Sequence, residues 1–287
     1  MRVLYAVAAP DALAEDARSS LDWEREEELI FDAVRATVPD AVFETADEGN
    51  LAYLEEVIES LRPHVVHLSG HGRRGALLLE DELGFERELT IGEFRTFLGK
   101  LPDATRLVVL AQCLSAADAG HVGGESPFAH FTAVAARERG YGVGMQFPVD
   151  DLAASWWAAG FYESLAEARY AELPRAVAAG RRRVWRETEA RRQRAASPQE
   201  FDRSDWAAPV LYVAGGVFRL LEEREDGEAS VKPPPPSLAD VTPHRDRRAF
   251  VGRRRERRRL LRAVRREHRV GVVLRALGGT GKSTLAA

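Results

Sequence analysis

Two short apolar runs that stop abruptly constrain this chain more than any other feature. Residues 107–117 read LVVLAQCLSAA, and residues 64–72 read HVVHLSGHG. Apolar runs of this length between turn-forming residues mark strands buried on both faces, as inside parallel sheets. Such strands need a helical layer on either side, so the runs call for an α/β architecture. Both end in reactive side chains: Cys113, the one cysteine in 287 residues, and the His71-Gly72 step. In open α/β sheets, ligands bind at the carboxyl ends of the strands. Two such ends can present a thiol and an imidazole to one crevice, the arrangement a cysteine nucleophile needs. The competing reading of Cys113 is a small buried hydrophobe, since free cysteine is among the most buried residue types.

The rest of the N-terminal region alternates in the same way. Strands are predicted at 2–8 (RVLYAVA), 41–44, 65–68, 141–147 (YGVGMQF) and 206–214 (WAAPVLYVA). Helical periodicity occupies 21–36, with Leu29, Ile30 and Val34 as its buried stripe, then 91–98, 151–168 and 174–194. Another helix runs from the N-cap Asn50 to a stop at Pro63. Residues 76–89 predict a hairpin turning through 81–84. The glycine-bearing stretch 115–125 predicts a mobile surface loop, and Ser126-Pro127 a helix start. Together these predict an α/β fold, a doubly wound, mostly parallel sheet with helices on both faces.

At 221–245 the chain becomes charged and then carries four consecutive prolines at 233–236, a semi-rigid spacer. Domains are therefore expected at 1–220 and 246–287. In the second, an apolar strand pattern at 270–275 leads into Gly278, Gly279, Thr280, Gly281, Lys282, Ser283 and Thr284. A glycine-rich turn followed by Lys-Ser after a strand is a phosphate-binding loop. Its backbone N–H groups would cradle the phosphates of ATP or another NTP. Lys282 would reach the outer phosphates, and the Ser283 hydroxyl would hold Mg²⁺. Ala276 stands where the pattern has its first glycine. The metal-completing acidic residue would lie beyond Ala287, so a truncated NTPase domain, without ATP turnover, is expected.

Charge and composition exclude several classes. A net charge of −4 gives no global attraction to nucleic acid, and the basic run 253–266 reads as a solvated helix face beside the nucleotide site. One cysteine permits no internal disulfide. No signal peptide or membrane-length apolar run is visible, so the cytoplasm is the expected compartment. His67 lies inside its apolar run and reads as a core histidine, whereas His71 lies past it. Their spacing straddles a strand end rather than one helical face, so no metal set is predicted for that region. His64, His121, His130, His244 and His268 belong to no constellation.

LSGHG, then VLAQCLSA, YGVGMQFPV, FYESLAEA and WAAPVLYVAGG, taken together, resemble the CHAT family of caspase-like cysteine peptidases over about residues 1–220. The resemblance implies that His71 is the general base and that Cys113 attacks the peptide carbonyl. It implies an oxyanion hole from the backbone N–H groups of Gly72 and Cys113. The cysteine context departs from the family's usual Ser-Ala-Cys: here it is Ala111-Gln112-Cys113, so Gln112 is not a specificity residue. Arg73 and Arg74 favour an acidic substrate side chain, and Asp118, Glu125, Asp150 and Asp151 a basic one, which leaves the preference open. With FVGRRRERRRLL upstream, residues 246–287 resemble the opening of a STAND or NB-ARC signalling NTPase. The expected whole is a nucleotide-regulated effector peptidase of bacterial defence or stress signalling. Its partners would be a protein substrate, a nucleotide and, on activation, a second copy of the chain; no membrane is expected. The alternative is a catalytically inactive relative serving as an interaction module.

Overall fold

The computed structural model describes residues 1–10, 23–37, 41–46, 48–117, 130–167, 172–194, 204–215 and 220. The chain divides into two units, Met1–Leu221 and Glu222–Ala287, and every described residue falls in the first. The phosphate-binding loop Gly278, Gly279, Thr280, Gly281, Lys282, Ser283 and Thr284 therefore lies outside the described residues.

The chain begins with β1 (Arg2–Ala8), α1 (Trp23–Thr37), β2 (Val42–Ala46), α2 (Leu51–Leu61) and β3 (Val65–Gly70). A small antiparallel sheet follows, made of β4 (Gly72–Arg73), β5 (Ala76–Glu80) and β6 (Glu86–Leu89). Next come α3 (Ile91–Lys100), β7 (Leu107–Gln112), α4 (Phe131–Arg139) and β8 (Tyr141–Met145). Last are α5 (Asp151–Glu167), α6 (Leu173–Arg194), a 3₁₀ turn at Asp205–Ala207 and β9 (Pro209–Val213).

The main sheet has the order β2-β1-β3-β7-β8-β9, parallel throughout except for β9, which runs antiparallel to β8. Strand alternation divides the core in two. Val3, Tyr5 and Val7 of β1 face Ile30 and Val34 of α1, Trp157 and Phe161 of α5, and Val184 of α6. Leu4, Ala6 and Ala8 join Leu54 of α2, Phe94 and Phe97 of α3, and Val134 of α4. Helices on both faces of a mostly parallel sheet are what the sequence predicts.

Local chemistry sets the element ends. Asn50 caps α2 by accepting the Tyr53 N–H at 2.9 Å. Thr90 and Glu93 form a reciprocal capping box on α3. The hairpin turns where Asp81 accepts the Leu83 and Phe85 N–H groups, and Gly84 takes φ 79° there. Three expectations need correcting. Helix α4 starts at Phe131 behind an N-cap His130, whose ring accepts the Ala133 N–H; Ser126 and Pro127 lie outside the described residues. The last strand starts at Pro209 rather than Trp206, because residues 205–207 close a 3₁₀ turn. Ser115 and Ala116 are buried and hydrogen-bonded rather than part of a mobile loop; residues 118–125 lie outside the described ones.

Among the described residues no helix is long and apolar enough to cross a membrane.

Candidate active site

Strands β3 and β7 are neighbours in the middle of the sheet, and their parallel register runs from Val65↔Leu107 to Gly70↔Gln112. His71 and Cys113 are the next residues on each chain. Neighbouring strands lie about 4.8 Å apart, so the two residues leave the sheet side by side. The structure thus brings together the strand ends that the sequence singles out.

Gly72 is the hinge of this arrangement. A Cβ at residue 72 would collide with the Cys113 carbonyl oxygen, so only glycine lets the chain cross β7 this closely. Beyond it the chain enters the small sheet. The Leu78 N–H donates to the His71 carbonyl at 3.1 Å, and Gly72 stands opposite Leu77. Antiparallel ladders alternate hydrogen-bonded and non-hydrogen-bonded pairs, so the Gly72 N–H is turned away from β5. Buried Glu80 ties this small sheet to the main one, accepting the Ala9 N–H at 2.7 Å and the Gly49 N–H at 3.4 Å.

Cys113 is half-buried. The Val149 N–H, just before α5, donates to its Sγ at 3.4 Å. The thiol in turn donates to the Val149 carbonyl at 3.9 Å, so Sγ is held on the backbone just before α5. The turn after Cys113 is held from below. Leu114 adopts the left-handed conformation, with φ 60°, which costs a side-chain-bearing residue energy. Ser115 offsets this by donating to the Leu110 carbonyl at 2.9 Å and accepting the Met145 N–H at 3.0 Å. Its own carbonyl accepts the Thr132 N–H and hydroxyl. Gln112 is fully buried, and its Nε2 donates to the Leu78 carbonyl at 3.3 Å. It fastens the small sheet to β7 and is not offered to a substrate.

One layer below lies a polar cluster that sequence reasoning missed. Tyr5 and Ser69 donate their hydroxyls to Glu26 Oε2 at 2.8 and 2.6 Å. His67 is fully buried, with Nδ1 at 3.1 Å from the Tyr162 hydroxyl. Desolvation drives its pKa down to about 3, so it is the neutral core histidine the sequence suggests. Burial raises the Glu26 and Tyr162 pKa values. The 3.7 Å approach of His67 Nε2 to Glu26 Oε1 is too long for a hydrogen bond, and burial disfavours charge on both partners. Glu26 was legible in principle, because it stands four residues before Ile30 on the buried stripe of α1.

The charged residues near the site divide. Arg73 is occupied, pairing with Glu86 at 2.6 Å and Glu88 at 2.7 Å. Asp150 accepts the Leu152 N–H at the start of α5. Asp118 and Glu125 lie outside the described residues. His64 accepts the Arg2 N–H at 2.9 Å, which gives it a structural partner. Among the described residues no group of three or more metal-ligating side chains converges.

Against this geometry, the CHAT domain family model matches residues 2–215. The chain belongs to the CHAT domain family. The match covers the whole main sheet, from β1 to β9, and the family is caspase-like, with inactive members as well as peptidases. No curated protein matches the sequence. As a CHAT domain the chain carries a peptidase-related function, and His71 and Cys113 stand at the C-terminal ends of its central strands.

Proposed function

We propose that this CHAT domain is a cysteine endopeptidase that hydrolyses peptide bonds of a protein substrate through Cys113 and His71. The observation that carries the reading is the juxtaposition of the two strand ends, with the Val149 N–H on the Cys113 sulfur. His71 takes the thiol proton, and the thiolate attacks the scissile carbonyl carbon. Negative charge then develops on the carbonyl oxygen, where the Gly72 and Cys113 N–H groups receive it. The Gly72 orientation, away from β5, supports that role. His71 returns the proton to the departing amine, leaving a thioester. Water, deprotonated by the same imidazole, releases the acid and restores the thiol.

Nucleotide control belongs to this proposal through the composition of Gly278, Gly279, Thr280, Gly281, Lys282, Ser283 and Thr284. Main-chain N–H groups and a lysine suit phosphate, and a hydroxyl oxygen suits Mg²⁺. ATP would serve there as a regulatory ligand. The cytoplasm and a defence or stress role complete the proposal.

The test is cleavage of a peptide library by the 287-residue chain, with Cys113→Ala and His71→Ala beside it. Loss of all cleavage in either variant, with an unchanged melting temperature, is expected. Cleavage surviving in Cys113→Ala would sink the peptidase reading. A folded wild-type chain that no electrophilic peptide probe labels at Cys113 would favour the inactive interaction module.

A further inference from the structure

Glu26 is a carboxyl group buried to 5 % exposure beneath the strand end that carries His71. Its two oxygens have different surroundings. Oε2 accepts two hydroxyls, from Tyr5 at 2.8 Å and Ser69 at 2.6 Å. Oε1 has no hydrogen-bond partner, and neither has His67 Nε2, the atom it faces at 3.7 Å. Buried polar atoms without partners are uncommon and call for a reason. Two of them face one another here, 3.7 Å apart.

The surroundings decide whether Glu26 carries a proton. The titratable groups facing Glu26 are Tyr5 from β1, His67 from β3, and Tyr162 and Asp151 from α5. None is a cation, since His67 is neutral. A carboxylate here would be a buried charge with no counter-ion among the described residues, whose desolvation is costly. Burial favours the acid form, the nearby Asp151 charge adds to it, and the Ser69 and Tyr5 hydroxyls only partly oppose it. The neutral acid leaves no uncompensated charge. Oε2 is then the carbonyl oxygen, Oε1–H points toward His67 Nε2 across 3.7 Å, and His67 Nδ1–H donates to the Tyr162 oxygen.

We propose that Glu26 is a positioning residue, held as the neutral acid with its proton on Oε1 toward His67. Through Ser69 it fixes the end of β3 from which His71 departs. This rests on the reading of His71 and Cys113 as the reactive pair. Only Gly70, which has no side chain, separates Ser69 from His71. The 2.6 Å bond to Glu26 is therefore the last side-chain hydrogen bond made by β3 before the imidazole.

Infrared spectroscopy and thiol labelling of the 287-residue chain test this together. A C=O band of a protonated carboxylic acid should be present at neutral pH and absent from Glu26→Gln. Cys113 is the only thiol, so its alkylation rate by iodoacetamide reads the site directly. Glu26→Gln offers a carbonyl oxygen to Tyr5 and Ser69 and an N–H to His67, so the rate should stay within about twofold. Glu26→Ala and the milder Ser69→Ala should slow it about tenfold, and Ser69→Thr should restore it. A missing acid band would overturn the assignment whatever His71→Ala does, as would Glu26→Gln slowing the reaction as far as Glu26→Ala. A rate unmoved by His71→Ala would instead overturn the dyad, and the positioning role with it, while the acid band would remain.

Discussion

The two faces of the sheet are made of different materials. Beneath α2, α3 and α4, the strands contribute hydrocarbon except for Gln112 at the end of β7: Leu4, Val66, Leu68, Val108 and Leu110 pack on Phe94, Phe97 and Phe131. Beneath α1 and α5, the same strands contribute Tyr5, His67 and Ser69, which meet Glu26 and Tyr162. Apolar burial is strong but non-directional, so it sets how stable a layer is. Hydrogen bonds between buried groups add little net stability, but they fix angles and distances. The polar cluster lies one step below His71 and Cys113, where accurate placement matters. The comparison teaches that one face holds the sheet together and the other aims it.

The sharpest break in that comparison comes from the hydrocarbon face. Phe94→Ala removes a fully buried ring stacked on Phe97 and edge-on to Phe131 and should cost about 3–5 kcal/mol in chemical denaturation. Cys113 alkylation in the folded fraction should be unchanged. Slowed alkylation there would mean that both faces aim the site.

On the polar face the expected effect is on pH dependence. The His67 pKa falls from 6.5 to about 3 on folding. As pH drops below 6.5, the unfolded chain binds a proton that the folded one refuses, so stability declines by about 1.4 kcal/mol per pH unit toward pH 3. Glu26 acts in the opposite sense. Its folded pKa is raised above 4.5, so its contribution weakens as pH rises past that value. The two slopes oppose each other just above pH 4.5, and below it Glu26 no longer opposes His67. Denaturation of His67→Gln across this range should show the acid slope removed; an unchanged slope would mean that His67 is not the buried neutral base.

Smaller effects follow at the turn and the rim. Ser115→Ala strands the buried Met145 N–H and should cost about 1–3 kcal/mol, while slowing Cys113 labelling through the loosened turn. Arg73→Ala breaks two exposed ion pairs and should cost about 0.5 kcal/mol or less. A larger loss would mean that the rim, too, holds the small sheet in place.

Much of the frame was legible because each unit is local. The apolar runs of β3 and β7, the Asn50 cap and the helix stripes all announce themselves within a few residues. The strand β4 does not, since Gly72 and Arg73 are too few to carry a period. His130 as an N-cap is hidden in the sequence because Ser126-Pro127 carries the stronger helix-start signal. Ser115 looked like loop composition, yet its hydroxyl is spent on distant backbone of β7 and β8. Glu26 sat in a glutamate-rich stretch that reads as a solvated face. Its partners Tyr5, Ser69 and His67 come from other strands, which only the folded sheet brings together.

The claim at the centre of this account is that His71 activates Cys113. The rate of Cys113 alkylation by iodoacetamide, followed by mass spectrometry across pH in wild type and His71→Ala, tests it most directly. An activated thiol should react on a plateau extending well below the ordinary cysteine titration near pH 8.5, and His71→Ala should abolish that plateau. Two superimposable curves, both rising as an ordinary thiol does, would contradict it.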